Sequence, residues 1–242
     1  MRRARIEEEN KPASGSLMHP LDHPIWTALV TRQQGLAEGG ALARRYPPEI
    51  APFADLAEMS PEGFSALGAL MSPSDFVVLF TPEPVTVPTA FKILLAKTGE
   101  QMIGTPANDA ADRAEIVTLG AADVSDMIDL TKLTNPGPFA ARTHELGTFL
   151  GIKVDGRLAA MAGERMKPGQ HTEITAVCVH PDHRGRGYAQ ALLGAVARGI
   201  VARGEIPFLH VFSDNVGAIA LYRRQGMEIR RRLCVTVLAK AD

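Results

Sequence analysis

Between Glu173 and Leu193 the chain reads EITAVCVHPDHRGRGYAQALL, an apolar strand that runs into a short basic loop with two glycines and opens directly into a helix. Ile174, Ala176 and Cys178 fall on one face of the strand, and Thr175, Val177 and Val179 on the other. Both faces are largely apolar, which places the strand inside a sheet rather than at its edge. Beyond the loop, Ala191, Leu192, Ala195, Val196, Ile200 and Val201 recur at helical spacing over Tyr188–Arg203, and Gly204 stands where a helix ends. The first N–H groups of such a helix have no internal acceptor and carry a partial charge of roughly +0.5. The junction is therefore suited to an anion, phosphate above all.

Within the loop, Gly185 and Gly187 let the backbone turn tightly and approach a diphosphate, while Arg184 and Arg186 add positive charge. The run Arg184-Gly185-Arg186-Gly187-Tyr188-Ala189 resembles the Gln/Arg-x-x-Gly-x-Gly/Ala pyrophosphate loop of the GCN5-related N-acetyltransferase (GNAT) superfamily. A six-residue glycine pattern is a weak signal alone. ITAVCVHPDHRG before it and SDNVGAIALYRRQGM after it are similar to the same family's neighbouring segments, in the same order. The resemblance covers roughly Ile116 to Lys240 and is most specific over Glu173–Met227.

The resemblance implies an α/β fold with a mixed, mostly antiparallel sheet flanked by helices, preceded by a smaller α/β N-terminal region. It implies acetyl-coenzyme A as cofactor, with Val177, Cys178 and Val179 as its binding strand and the backbone of Val177 and Val179 pairing with the pantetheine amides. The amides of Arg184, Gly185, Arg186, Gly187, Tyr188 and Ala189 then hold the pyrophosphate, Asn215 contacts the cofactor arm, and Tyr222 sits near the thioester sulfur. A tyrosine hydroxyl there can protonate the departing thiolate. A backbone N–H near Val177 can stabilise the oxyanion, and Glu173 is the base candidate for the amine. The implied reaction is direct acetyl transfer to a primary amine, either a small molecule or a protein amino group. The alternative is an acyl-coenzyme A-binding sensor without turnover. A homodimer is compatible with either.

Each residue also has a plainer reading. Tyr222 can pack as a helix-end aromatic, Glu173 can be a charged strand end, solvated or paired with Arg165, and Asn215 can cap the helix that follows it. His171 is a weaker rival for the base. Cys178 has no visible His–Asp/Glu arrangement to activate it, and an apolar strand raises a thiol's pKa. His180 and His183 lack the further ligands a zinc site needs, so no metal is expected. Arg223, Arg224, Arg230, Arg231 and Arg232 alternate with strand residues without an aromatic platform, which suits a solvated face or the cofactor's 3′-phosphate better than nucleic acid. Pro136–His144, with Phe139 foremost, is where an acceptor-lining loop would lie.

Composition limits the remainder. The 242 residues carry a formal net charge of -1, which disfavours a globally basic nucleic-acid binder. No apolar run reaches the roughly 18 residues that cross a bilayer. The opening MRRARIEEENKPASGS lacks a signal segment, reads as a mobile tail over 1–17, and leaves Met18 as a candidate natural start. With two cysteines, Cys178 and Cys234, both in apolar runs, the chain reads as a cytoplasmic protein with reduced thiols. Polar, short side chains over Thr105–Ala114 suggest a boundary between an N-terminal region, 18–110, and an acetyltransferase domain, 111–242. The N-terminal region reads as a possible degenerate copy of the second fold that covers the acceptor. Helices are expected at Ile25–Leu36, Pro61–Met71, Val124–Leu133 (capped by Asp123) and Asn215–Gln225. Strands are expected at Phe76–Phe80, Glu115–Leu119, Phe208–Phe212 and Cys234–Leu238, with a hairpin from Phe149 to Glu164 turning at Asp155-Gly156.

Overall fold

A computed structural model of the chain describes residues 19–106 and 115–241. The expected tail and most of the expected linker lie outside them. One eight-stranded sheet organises the molecule, in the order β4-β11-β5-β10-β9-β8-β7-β6. Its strands are β4 (Phe76–Thr81), β5 (Phe91–Ile103), β6 (Val117–Leu119), β7 (Phe149–Val154), β8 (Arg157–Glu164), β9 (His171–Val179), β10 (Ile206–Phe212) and β11 (Glu228–Lys240). Neighbours are antiparallel except β9 and β10. Three short strands, β1 (Glu38–Gly39), β2 (Ala43–Arg45) and β3 (Ala54–Leu56), form a separate small sheet. The helices are α1 (Pro24–Val30), α2 (Pro61–Leu70), α3 (Val124–Thr134), α4 (Tyr188–Ala202) and α5 (Val216–Arg224).

Successive strand residues point to opposite faces, and the core divides accordingly. Leu209 of β10 packs with Met102, Ile174 and the inner side of α4, including Leu192, Val196 and Ile200. Its neighbour Phe208 packs on the other face with Val78, Phe80, Leu233 and Val235, beneath Leu21, Ile25, Leu29, Tyr46 and Ile50 of the N-terminal segment. α3 covers β7 to β9 through Met127 and Leu130, and α2 covers β4 and β11 through Phe64 and Leu67. Polar clamps hold the N-terminal segment down. Buried Gln33 donates to the Arg165 carbonyl at 2.8 Å and accepts from the Lys167 N–H at 2.9 Å, while Asp22 pairs with Arg230 and Arg231 at 2.7 and 2.9 Å.

Most expected elements form with small shifts of boundary. Asp155 and Gly156 take φ of 50° and 76°, the two positive angles a tight hairpin turn requires. Ser60 caps α2 by accepting from Gly63 N–H. Three expectations change. The first helix stops at Val30, after which two short turns lead to β1. Asp123 does not cap α3; its carboxylate accepts from Gly120 N–H at 3.0 Å and pairs with Lys153 at 2.7 Å. The pattern over Phe91–Ile103 marks no strand, yet β5 lies between β10 and β11 and pairs with both. Strands on both sides of the expected linker thus belong to one sheet. Among the described residues no helix is long and apolar enough to cross a membrane.

Candidate active site

β9 and β10 run side by side only from His171–Glu173 against Ile206–Phe208. Beyond Glu173 they part: β9 continues along β8, and β10 continues along β5. At the fork Ala176 adopts φ of 53°, unusual for a residue with a Cβ. The β8–β9 register shifts between Met161 and Gly163, a bulge that re-aims the backbone around Val177. The gap opens into a cavity of about 980 Å³ that extends from the glycine loop to the face of β4, β5 and β11.

The loop is built as the anion reading requires. Gly185 and Gly187 have φ of 76° and 81°, and a Cβ on either would meet nothing within 4 Å, so conformation and not space calls for glycine. Gly187 begins α4 without a side-chain cap, leaving the first amides of the helix directed outward. His180 Nδ1 accepts from Asp182 N–H at 3.3 Å within the loop. No group of three or more metal-ligating side chains occurs among the described residues. The diphosphate end of coenzyme A fits this arrangement of open amides and adjacent arginines.

The cavity brings together every expected site residue except Arg186, which is exposed in the loop, and Glu173. Tyr222, on α5, is buried, and burial pushes its phenol up to about 12, with Cys178 nearby adding to the shift. It therefore keeps its proton at neutral pH. Asn215 caps α5, its Oδ1 accepting from Ala218 N–H at 3.2 Å, which leaves the amide nitrogen for another partner. Burial raises the Cys178 thiol to about 11, against hydrogen bonds with Thr134 and the Met161 backbone, so the thiolate needed for acyl chemistry is suppressed.

Glu173 is fully buried and does not line the cavity. Arg165 Nε and Nη2 donate to its two oxygens at 2.8 and 2.7 Å, and His210 Nδ1 lies 2.7 Å from Oε1. Burial alone would raise this carboxyl, but the Arg165 charge and the Arg165 and His210 hydrogen bonds outweigh it and bring the value to about 2. Direct proton removal by Glu173 conflicts with this geometry, since both oxygens are engaged and the ionised form is already strongly stabilised. His210 is engaged as well. Gln101 accepts from Arg230 at Oε1 (2.9 Å) and donates from Nε2 to the Leu21 carbonyl (2.9 Å), which fixes its amide. Gln101 Nε2, 3.0 Å from His210 Nε2, is then the donor there, and the imidazole carries its proton on Nδ1, toward Glu173. His171 does not line the cavity, and burial first, with His19 second, lowers it to about 4.

Pro136, Gly137 and Pro138 line the cavity, but Phe139 turns inward and meets Phe149 edge-on at 5.6 Å between ring centres. Arg230, Arg231 and Arg232 hold Asp22 and Glu100 rather than facing solvent alone. Sequence reasoning missed His210 and the apolar wall from Phe53, Phe76, Val78 and Phe80. The available signal was alternation in FLHVF, which sets His210 on the same face as Phe208 and Phe212.

The family model described as "Acetyltransferase (GNAT) family" matches residues 121–227. The chain is 32% identical over 136 residues to the N-alpha-acetyltransferase RimI of Mycobacterium tuberculosis, across 49% of this chain and 84% of that relative. It is 39% identical to a solved structure assigned to the same family from Novosphingobium aromaticivorans, with TM-score 0.86 over 93% of this chain and all of that one. A GCN5-related N-acetyltransferase from Kribbella flavida, 15% identical with TM-score 0.60, shares the fold over 90% of this chain. On the splayed strands, the glycine loop and these likenesses together, the chain belongs to the GNAT acetyltransferase family.

Proposed function

We propose that the protein transfers an acetyl group from acetyl-coenzyme A to a primary amine by direct attack. The observation that carries this reading is the fork of β9 and β10, which opens onto both the uncapped start of α4 and the buried hydroxyl of Tyr222. The loop amides from Arg184 to Ala189 take the diphosphate, the free edge of β9 at Val177 and Val179 pairs with the pantetheine arm, and Asn215 adds a side-chain contact.

The thioester supplies an activated carbonyl; the chain's part is to place it and manage charge. Val177 N–H, re-aimed by the bulge, stabilises negative charge on the carbonyl oxygen. An N–C bond forms as the C–S bond breaks, and Tyr222 donates its proton to the departing thiolate and recovers one from solvent. The amine's proton passes to water. Glu173 serves this reaction as a positioning residue: it neutralises Arg165 and fixes the tautomer of His210, both of which line the cavity. Amine deprotonation is helped by the apolar surroundings, which favour the neutral form.

Tyr222→Phe tests the assignment. Coenzyme A release should fall about 100-fold in kcat while coenzyme A affinity stays within about two-fold. An unchanged kcat would remove the acid role from Tyr222.

A further inference from the structure

The cavity has a second half that the cofactor reading does not use. Its wall is apolar: Phe53, Phe80 and Val78 near the N-terminal segment, then Leu95, Val235 and Val237 on the open face of β5 and β11, with half-exposed Phe76 at the edge. Among the described residues no Asp or Glu lines the cavity, and the charged or ionisable lining groups, thiol and phenols aside, are Arg165, His183, Arg184 and His210. His183 and Arg184 belong to the loop, so among the described residues the apolar half carries Arg165 and His210 alone. Arg165 lies over the Phe53 ring at 4.3 Å and uses Nε and Nη2 on Glu173. Its Nη1 makes no hydrogen bond to a described residue, which leaves a donor on a buried guanidinium at the cavity wall.

A second ammonium group in this space would lose hydration and gain no counter-charge from a described residue. A single amine escapes it by entering neutral, as it must in order to attack. An aliphatic or aromatic body gains by burial against the apolar wall, and an oxygen acceptor on that body satisfies the spare N–H of Arg165. Resting on the acetyl-transfer reading, we infer that the acceptor is a monoamine on a large apolar body that also bears a carboxylate or carbonyl oxygen, the chemistry of an apolar amino acid, free or at the start of a peptide. Polyamines and aminoglycoside-like polycations are rejected.

The test measures kcat/KM from coenzyme A release with the full chain and five acceptors: phenylalanine, phenylalanyl-glycine, 2-phenylethylamine, glycine amide and spermidine. Phenylalanine or its dipeptide should exceed spermidine and glycine amide by at least about ten-fold. Which of the two leads tells the free source from the peptide source. Loss of the oxygen in 2-phenylethylamine should lower kcat/KM by about ten-fold or more. Leu95→Asp places a carboxylate on the apolar floor; it should shift the ratio of spermidine to phenylalanine turnover upward by about ten-fold with coenzyme A affinity unchanged. Spermidine equal to or better than both phenylalanine compounds overturns the inference, as does coenzyme A binding with no transfer to any of the five. Failure of coenzyme A to bind at all would instead strike the acetyl-transfer reading on which it stands.

Discussion

At the scale of single residues, Tyr222 and Glu173 make opposite predictions about pH. Because burial holds the Tyr222 phenol near 12, it stays protonated through neutral and mildly alkaline solution. The rate should show no descending limb from this group between about pH 7 and 10; a loss there that Tyr222→Phe abolishes would contradict the assignment. For Glu173 the folded value, about 2, lies below the ordinary 4.5, so the ionised carboxylate adds stability above 4.5 and loses it as pH falls toward 2. Glu173→Gln leaves Arg165 buried without a counter-charge and should destabilise by about 3–5 kcal/mol, lowering Tm by roughly 6–20 °C. Differential scanning calorimetry checks this, and an unchanged Tm would mean the pair contributes nothing. At Gly187 an added Cβ meets no atom but must adopt positive φ. Gly187→Ala should therefore weaken coenzyme A binding by about ten-fold through backbone strain of about 1–2 kcal/mol, measurable by calorimetric titration, and equal affinity would deny the loop's role.

At the scale of elements, legibility followed locality. The Asp155-Gly156 hairpin, the strand–loop–helix from β9 to α4 and the Asn215 cap are set by neighbours a few residues apart, and each could be read from spacing and turn chemistry. β5 could not. FKILLAKTGEQMI mixes exposed and buried positions because one end of the strand is largely exposed while the other is buried between β10 and β11, so neither alternation nor a continuous apolar run appears. Glu173 illustrates the same limit within the site. Its pairing with Arg165, eight residues away across a turn, was a readable alternative, whereas His210, itself held by Gln101, reaches it only through sheet order. The fork of β9 and β10 depends on a parallel pairing that ends after three residues, information carried by no local pattern.

At the scale of the molecule, the N-terminal segment completes both the sheet and the cavity. β5 fills the space between β10 and β11, and Phe53, Phe76 and Phe80 form a wall facing the glycine loop's half of the site. A fragment of residues 111–242 would leave β10 and β11 with unpaired edges and an uncovered apolar face, so it should aggregate or fail to give a cooperative unfolding transition. A soluble, cooperatively folding fragment would show that the second half is self-sufficient. Where coenzyme A sits decides the proposed mechanism. A crystal structure with acetyl-coenzyme A should place the diphosphate on the amides of Arg184–Ala189, the pantetheine between β9 and β10, and the thioester sulfur within hydrogen-bonding reach of the Tyr222 hydroxyl. A diphosphate bound elsewhere, or a thioester remote from Tyr222, would contradict it.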